Sequence, residues 1–267
     1  MALNARPVNL HKDGIRETNK SKNRDLEIIP DDDNRPYLST RYKQGNNYIN
    51  AVFVPSFREH DYYLVSQMPL TPTIVDLWRL VRDTDCHAIV MLNELDHEDE
   101  RYGPLEVELM NINAENKSKS IITRDFRVIL ASEKKNTDDE SLETAGIIVR
   151  QFQLLSWPKK NILSPNKADL LELFDQLQKW KNTRLGLSKV KQHCIVHCMN
   201  GAQRSGIFCA ANYVVEKIKS DQEVDAFLAA RYVGKKRPQF FGTKEQYTFL
   251  YDMAVEYTSL YREYANV

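Results

Sequence analysis

A cysteine and an arginine stand six positions apart in the run VHCMNGAQRSGIF, Val196 to Phe208, with Gly201 between them and an apolar stretch behind. Read as strand, loop and helix, the run carries chemistry. Cys198 ends an apolar strand, Met199, Asn200, Gly201, Ala202 and Gln203 form the loop, and Ser205 and Gly206 open the helix. Successive loop N–H groups converge on one point and make a nest for an anion. The helix adds its positive N-terminal end. Arg204 adds a planar fork that matches two phosphate oxygens. Such a field favours a thiolate, so Cys198 is expected to be a sulfur nucleophile at the base of a phosphate cradle. The plainer alternative makes Cys198 a buried strand cysteine and Arg204 a surface charge. A bare Cys-x5-Arg spacing is common by chance. Here it follows a strand, contains glycine and ends in Arg-Ser-Gly before a helix, and that context favours the cradle.

The neighbouring HCIVHC, His193 to Cys198, invites a metal reading. Strand alternation puts His193 and His197 on one face and Cys194 and Cys198 on the other. A straight strand cannot bring all four to one ion, so no metal is expected. His197 is expected to orient the loop by hydrogen bonding.

Apolar or alternating runs typical of strands precede the cradle. They are YINAVFV from Tyr48, YYLVSQ from Tyr62, AIVMLN from Ala88, LEVELM from Leu105, DFRVILAS from Asp125 and GIIVRQFQLL from Gly146. Helical runs are clearest towards the end: ADLLELFDQLQKW from Ala168, IFCAANYVVEKI from Ile207, EVDAFLAARYV from Glu223, and the long run from Lys244 to Ala265. Thr243 and Gln246 read as a capping box for that last helix. Strands feeding a loop and then helices argue for one mixed α/β domain over residues 1–267. The acidic runs at Asp31 to Asp33, from Glu94 and from Lys134 read as solvated turns.

The composition narrows the options. Apolar residues make up 42%, charged residues 28%, and the net charge is +0, so no bulk attraction to nucleic acid or anionic lipid is expected. Cys86, Cys194, Cys198 and Cys209 form neither a zinc ladder nor a disulfide framework. A reducing, cytoplasmic setting fits them. No apolar run is long enough to span a membrane, and MALNARPVNLHKDG lacks a signal peptide's apolar core.

The chain resembles the protein tyrosine phosphatases, and not in the cradle alone. NKSKNRDLEIIP is similar to the family's phosphotyrosine-recognition loop, and YINAVFV to its Asn-Ala strand. SQMPLTPTIVDLWRLV resembles its Gln-x-Pro-Leu turn and following helix, and IVMLNEL its central strand. LLSWPKKNILSP resembles its Trp-Pro loop, VHCMNGAQRSG its signature, and GTKEQYTFLYDM its glutamine loop. These occur in family order across nearly the whole chain. The resemblance implies an α+β fold with a central, highly twisted mixed sheet flanked by helices, and no cofactor. The finer likeness is to the second, membrane-distal phosphatase domain of receptor-type enzymes of the alpha and epsilon subfamily. It rests on KNR, IIP, NR, YGPLEVEL and EYTSLYREYAN. Such domains are typically weak or inactive and regulate a neighbouring catalytic domain.

Against that family, this sequence departs on three loops. The recognition-loop tyrosine that stacks on the substrate ring is Asp25, which removes an aromatic wall worth about 1 kcal/mol and sets a negative charge at the entrance. After Trp157 and Pro158, the aspartate that protonates the leaving phenolate is Lys159, followed by Lys160 and Asn161. Losing general-acid help costs roughly 10² to 10⁴ in rate. The glutamine that positions the hydrolytic water is Gly242, and only the second glutamine, Gln246, remains. Gln203 replaces a cradle glycine and is expected to crowd the loop or force an uncomfortable backbone angle. Gly201, Arg204 and Ser205 are kept, and Ser205 can donate to the sulfur. A Lys-Cys-x-x-Tyr-Trp-Pro segment of the family is missing before RYGPLEVEL.

The resulting expectation is a pseudophosphatase: a phosphate cradle without efficient turnover, acting as a binding module. Its partner would be a phosphotyrosine protein or acidic partner, a catalytic phosphatase domain in cis or trans, or a second copy of itself. A slow but genuine phosphatase working through a cysteinyl-phosphate is the alternative. Redox sensing is a third, with Cys198 oxidised and Cys194 or Cys209 resolving it.

Overall fold

The computed structural model describes residues 11–39, 45–93, 106–113, 120–129, 146–184 and 191–265. Its strands are β1 (Ala51–Val54), β2 (Tyr63–Gln67), β3 (Cys86–Met91), β4 (Glu106–Asn113), β5 (Ile121–Ile129), β6 (Ile147–Leu154) and β7 (His193–Cys198). They form one sheet in the order β1-β2-β7-β3-β6-β5-β4. The four central strands, β2, β7, β3 and β6, run parallel, and the pairings outside them, β1 with β2, β6 with β5 and β5 with β4, are antiparallel.

Sequence explains that split. CHAIVM of β3 is buried at every position, and HCIVHC of β7 at every position after His193. Continuous apolar runs of this kind suit central strands covered on both faces. IITRDFRVI of β5 alternates between buried and half-exposed residues, the pattern of a strand nearer the edge.

Helices cover both faces. On one side Leu77, Trp78, Leu80 and Val81 of α2 (Ile74–Asp83) pack with Leu64, Ile89 and Ile195 of the sheet. On the other lie α3 (Lys167–Arg184), α4 (Gln203–Asp221), α5 (Ala226–Gly234) and α6 (Lys244–Ala265), against Cys194, Val196 and Cys198. The short α1 (Glu17–Lys20) precedes them all. α4 is the central helix of that layer, with Ser205 to Lys217 buried without interruption. The layered packing supports the mixed α/β expectation, and the alternation expected along β7 is present.

Two local readings change. α4 opens at Gln203 rather than at Ser205, so the loop after Cys198 is shorter than expected. The turn at Asp31 to Asp33 is present, but Asp32 is not merely solvated: it accepts from the Asp13 N–H (3.3 Å) and pairs with Arg35 (3.7 Å). The acidic runs beginning at Glu94 and Lys134 lie outside the described residues.

Candidate active site

The cradle is held by the two strands that flank β7. Gln67 of β2 pairs with Cys198, and Met91 of β3 pairs with His197. Beyond the ladder, the Met68 N–H donates to the carbonyls of Cys198 (2.8 Å) and Met199 (3.1 Å), and the Leu92 N–H donates to that of His197 (2.9 Å). The chain then turns sharply at Gly201, whose φ is +62°. A Cβ there would lie 2.4 Å from the Ser66 carbonyl carbon and 2.5 Å from the Gln67 nitrogen. Only glycine meets both demands. Among the described residues, the N–H groups of Met199, Asn200, Ala202 and Gln203 have no acceptor. They cluster at the start of a 19-residue helix, where such donors suit an anion. Gln203 carries no positive φ, so the strain expected there is absent: it is simply the first helical residue.

A chain of buried polar contacts ties this loop to the recognition segment. The Arg237 guanidinium donates to the Gly201 carbonyl (2.5 Å) and to Asn50 Oδ1 (2.8 Å). Asn50 Nδ2 donates to Asn23 Oδ1 (3.0 Å), which also accepts from the Tyr48 hydroxyl (2.5 Å). Arg24 donates its N–H to Gln67 Oε1 (2.9 Å). Asp25 is thereby fixed beside the cavity, with its own Oδ1 accepting the Glu27 N–H (2.9 Å). Burial pulls the Arg237 guanidinium down to about 10, while the proximity of Tyr48 and Cys198 acts in the opposite direction. It remains a cation at neutral pH. Sequence reading missed this residue.

Arg204 behaves differently from the expected free fork. Its Nε donates to the Asn161 carbonyl (3.2 Å), Nη1 to those of Leu92 (3.0 Å) and Trp157 (3.2 Å), and Nη2 to that of Pro158 (2.6 Å). The guanidinium thus clasps the Trp157–Asn161 loop to the end of β3. An anion approaching this guanidinium would compete with these carbonyls for its donors. The loop supports itself as well: the Trp157 indole, fully buried, donates to the Asn161 carbonyl (3.1 Å), and the Asn161 N–H donates to that of Pro158 (2.9 Å).

These elements enclose a cavity of about 500 Å³ lined by Cys198, Arg204, Lys159, Lys160, Asp25 and Glu27 among others. Cys198 itself is 3% exposed and lines this opening. The carboxylates come from the recognition segment, and the Trp157 loop contributes ammonium groups. Asp169, the next acid downstream, lies in the first turn of α3 and does not line the cavity. Gly242 and Gln246 do not line the cavity; Gln246 Oε1 accepts the N–H groups of Gly242 (2.6 Å) and Thr243 (3.1 Å).

Two expected hydrogen bonds are not made. Among the described residues, the buried Ser205 Oγ has no partner, so it does not donate to Cys198. His197 Nδ1 is likewise without a partner, and its ring does not tether the loop; its main-chain carbonyl does. Burial lowers His197 from 6.5 to about 4, which leaves the ring neutral in the folded protein. The unfolded chain takes up that proton near pH 6.5 and therefore binds more protons between about pH 6.5 and 4. Stability is expected to fall as pH drops through this window, by up to about 1.4 kcal/mol per pH unit from this group. Urea midpoints at pH 7 and pH 5 should converge in His197→Asn relative to the parent; an unchanged gap would remove His197 as a source of acid sensitivity.

Comparison with known proteins bears on this geometry. The family model for protein-tyrosine phosphatase matches residues 19–256. Chicken (Gallus gallus) receptor-type tyrosine-protein phosphatase U is 33% identical over 253 residues, 90% of this chain but only 16% of that protein. Human receptor-type tyrosine-protein phosphatase epsilon is 32% identical over 260 residues, 93% of this chain and 35% of that protein. Among solved structures, the catalytic domain of human protein tyrosine phosphatase non-receptor type 18 aligns with a TM-score of 0.75 and 25% identity, covering 92% of this chain and 87% of the other. A structure of PTPN18 in complex with HER2 phosphopeptides aligns with a TM-score of 0.73 and 24% identity, covering 92% and 84%.

Proposed function

Since the chain belongs to the protein-tyrosine phosphatase family, we propose that residues 1–267 form one phosphatase domain that still takes a phosphate ester but turns it over poorly. One observation carries this reading. The cavity holds Cys198 and Arg204 over a formed cradle, yet the Trp157 loop offers it Lys159 and Lys160 and no acid. An ammonium does not replace a carboxylic acid as the group that protonates a departing phenolate. The role is then binding, in the manner of a membrane-distal domain of a receptor-type phosphatase on the cytoplasmic side. The ligand is a phosphotyrosine protein, as in the HER2 phosphopeptide complex of PTPN18, with Lys159 and Lys160 offsetting Asp25 and Glu27. A catalytic phosphatase domain in cis or trans, or a second copy, is the further partner this reading allows.

A slow genuine phosphatase is the second reading, favoured by the unsatisfied loop N–H groups over Cys198. Redox sensing has less support. Cys194 and Cys209 are wholly buried, and burial raises both thiols well above the ordinary range, so neither supplies a ready resolving thiolate.

Two measurements test the proposal. A phosphotyrosine peptide titrated into Cys198→Ser should bind saturably, and Arg204→Ala in that background should weaken it at least about tenfold. Steady-state hydrolysis of phenyl phosphate by the parent should run about 10² to 10⁴ below an ordinary kcat of roughly 10 per second. A kcat near that ordinary value would defeat the impaired reading, and a lack of saturable binding would defeat the binding role.

A further inference from the structure

Gly242 is a glycine that its backbone does not require. Its φ is not in the left-handed region, and a Cβ placed there meets nothing closer than 3.9 Å. The two atoms at that distance are Gln203 Nε2 and Gln246 Oε1. Gln246 is committed, because its Oε1 holds the N–H groups of Gly242 and Thr243. Gln203 reaches the same point from the first position of α4, and it lines the cavity with Cys198 and Arg204. A longer side chain at position 242 directed towards α4 would meet the Gln203 carboxamide. A large residue at 203 and a small one at 242 therefore fit as a pair.

We propose that Gln203 is a further ligand-contacting residue of this site: its carboxamide fills the space Gly242 leaves open and donates to an oxyanion held above Cys198. This rests on the reading that the cradle takes a phosphate ester. A carboxamide suits the position because it brings two N–H donors and an acceptor without charge. The cavity already sets Lys159, Lys160 and Arg204 against Asp25 and Glu27. A neutral donor adds a hydrogen bond to the anion and leaves that balance unchanged.

Tungstate titrated by calorimetry into the parent, Gln203→Gly, Gln203→Glu and the double variant Gln203→Gly/Gly242→Gln tests the pair, with a melting curve for each. Gln203→Gly should bind about tenfold more weakly, the effect of one hydrogen bond to a charged group. Gln203→Glu should be weaker still, since a carboxylate has no N–H to offer and repels the anion. The double variant should return to within about threefold of the parent, because a carboxamide re-enters the same space from the other side. Recovery of affinity separates a ligand contact from a mere effect on helix stability. Unchanged or tighter binding by Gln203→Gly would show that the side chain only crowds the cradle, and a double variant as weak as Gln203→Gly would break the pairing. Either result leaves the cradle reading standing. A folded parent that fails to bind tungstate overturns that reading and this inference together.

Discussion

Lys159→Asp is expected to raise Cys198-dependent hydrolysis of phenyl phosphate by about 10² or more, the lower bound for a positioned general acid. The argument starts from what is already in place. Cys198 lies at the base of a cavity that Lys159 lines, and Arg204 holds the Trp157–Asn161 loop by three carbonyl contacts and ties it to the Leu92 carbonyl by a fourth, so the loop need not be rebuilt to present a new side chain. What is lacking is a proton of suitable acidity for the leaving oxygen. The gain should depend on the leaving group. Phenolate needs the proton, whereas nitrophenolate leaves without much help, so para-nitrophenyl phosphate should gain far less than phenyl phosphate. KM should rise in both cases, because a new carboxylate joins Asp25 and Glu27 around a dianion. The gain should vanish in Lys159→Asp/Cys198→Ser. A folded Lys159→Asp that improves neither substrate would show that residue 159 does not stand where the leaving oxygen departs. A strong initial burst followed by slow turnover would place the remaining defect in hydrolysis of the cysteinyl-phosphate, beside Gly242.

Local sequence carried the cradle because its parts are local. HCIVHC runs unbroken into β7 with the bounds expected, Gly201 turns where only glycine fits, and Thr243 with Gln246 caps α6 through reciprocal bonds of 3.4 Å and 3.1 Å. Asp25 and Lys159, two of the positions where the sequence departs from the family pattern, line one cavity. Non-local partnerships were not legible. Arg204 has a fork shaped for phosphate, but nothing in its neighbours says that carbonyls 43 to 112 positions away will occupy its donors. Gln203 is expected to be strained because it stands where the family has glycine, but the sharp turn falls at Gly201 and residue 203 already belongs to the helix. Arg237 sits in KKRPQF, where nothing in the run itself marks one basic residue for burial. Its two acceptors lie 36 and 187 positions away, and only the packed fold buries it.

Arg237→Met should therefore have the largest effect on stability among the site residues, about 2 to 4 kcal/mol. The guanidinium is 1% exposed and satisfies two groups, the Gly201 carbonyl and Asn50 Oδ1. Leaving each of these buried acceptors without a donor costs about 1 to 3 kcal/mol. Methionine fills similar volume, so a cavity adds little. One term works the other way: the wild-type protein buries a cation with no carboxylate among its hydrogen-bond partners, and removing it relieves that desolvation, which keeps the total below the simple sum. At about 2 to 4 °C per kcal/mol for a chain of this size, the melting temperature should drop by roughly 5 to 15 °C. The functional loss should exceed what partial unfolding explains. Gly201 is the pivot of the cradle, and Asn50 leads on to Asn23 and the segment bearing Asp25, so one substitution loosens both walls of the cavity. Tungstate affinity measured well below the new melting temperature should fall at least about tenfold, close to one hydrogen-bond network's worth of preorganisation. Arg237→Lys should recover part of the stability, because one ammonium can reach one acceptor but cannot bridge both. If Arg237→Met melted with the parent and bound tungstate equally well, the buried bridge between cradle and recognition segment would have no energetic content, and the loop N–H groups would have to hold their geometry unaided.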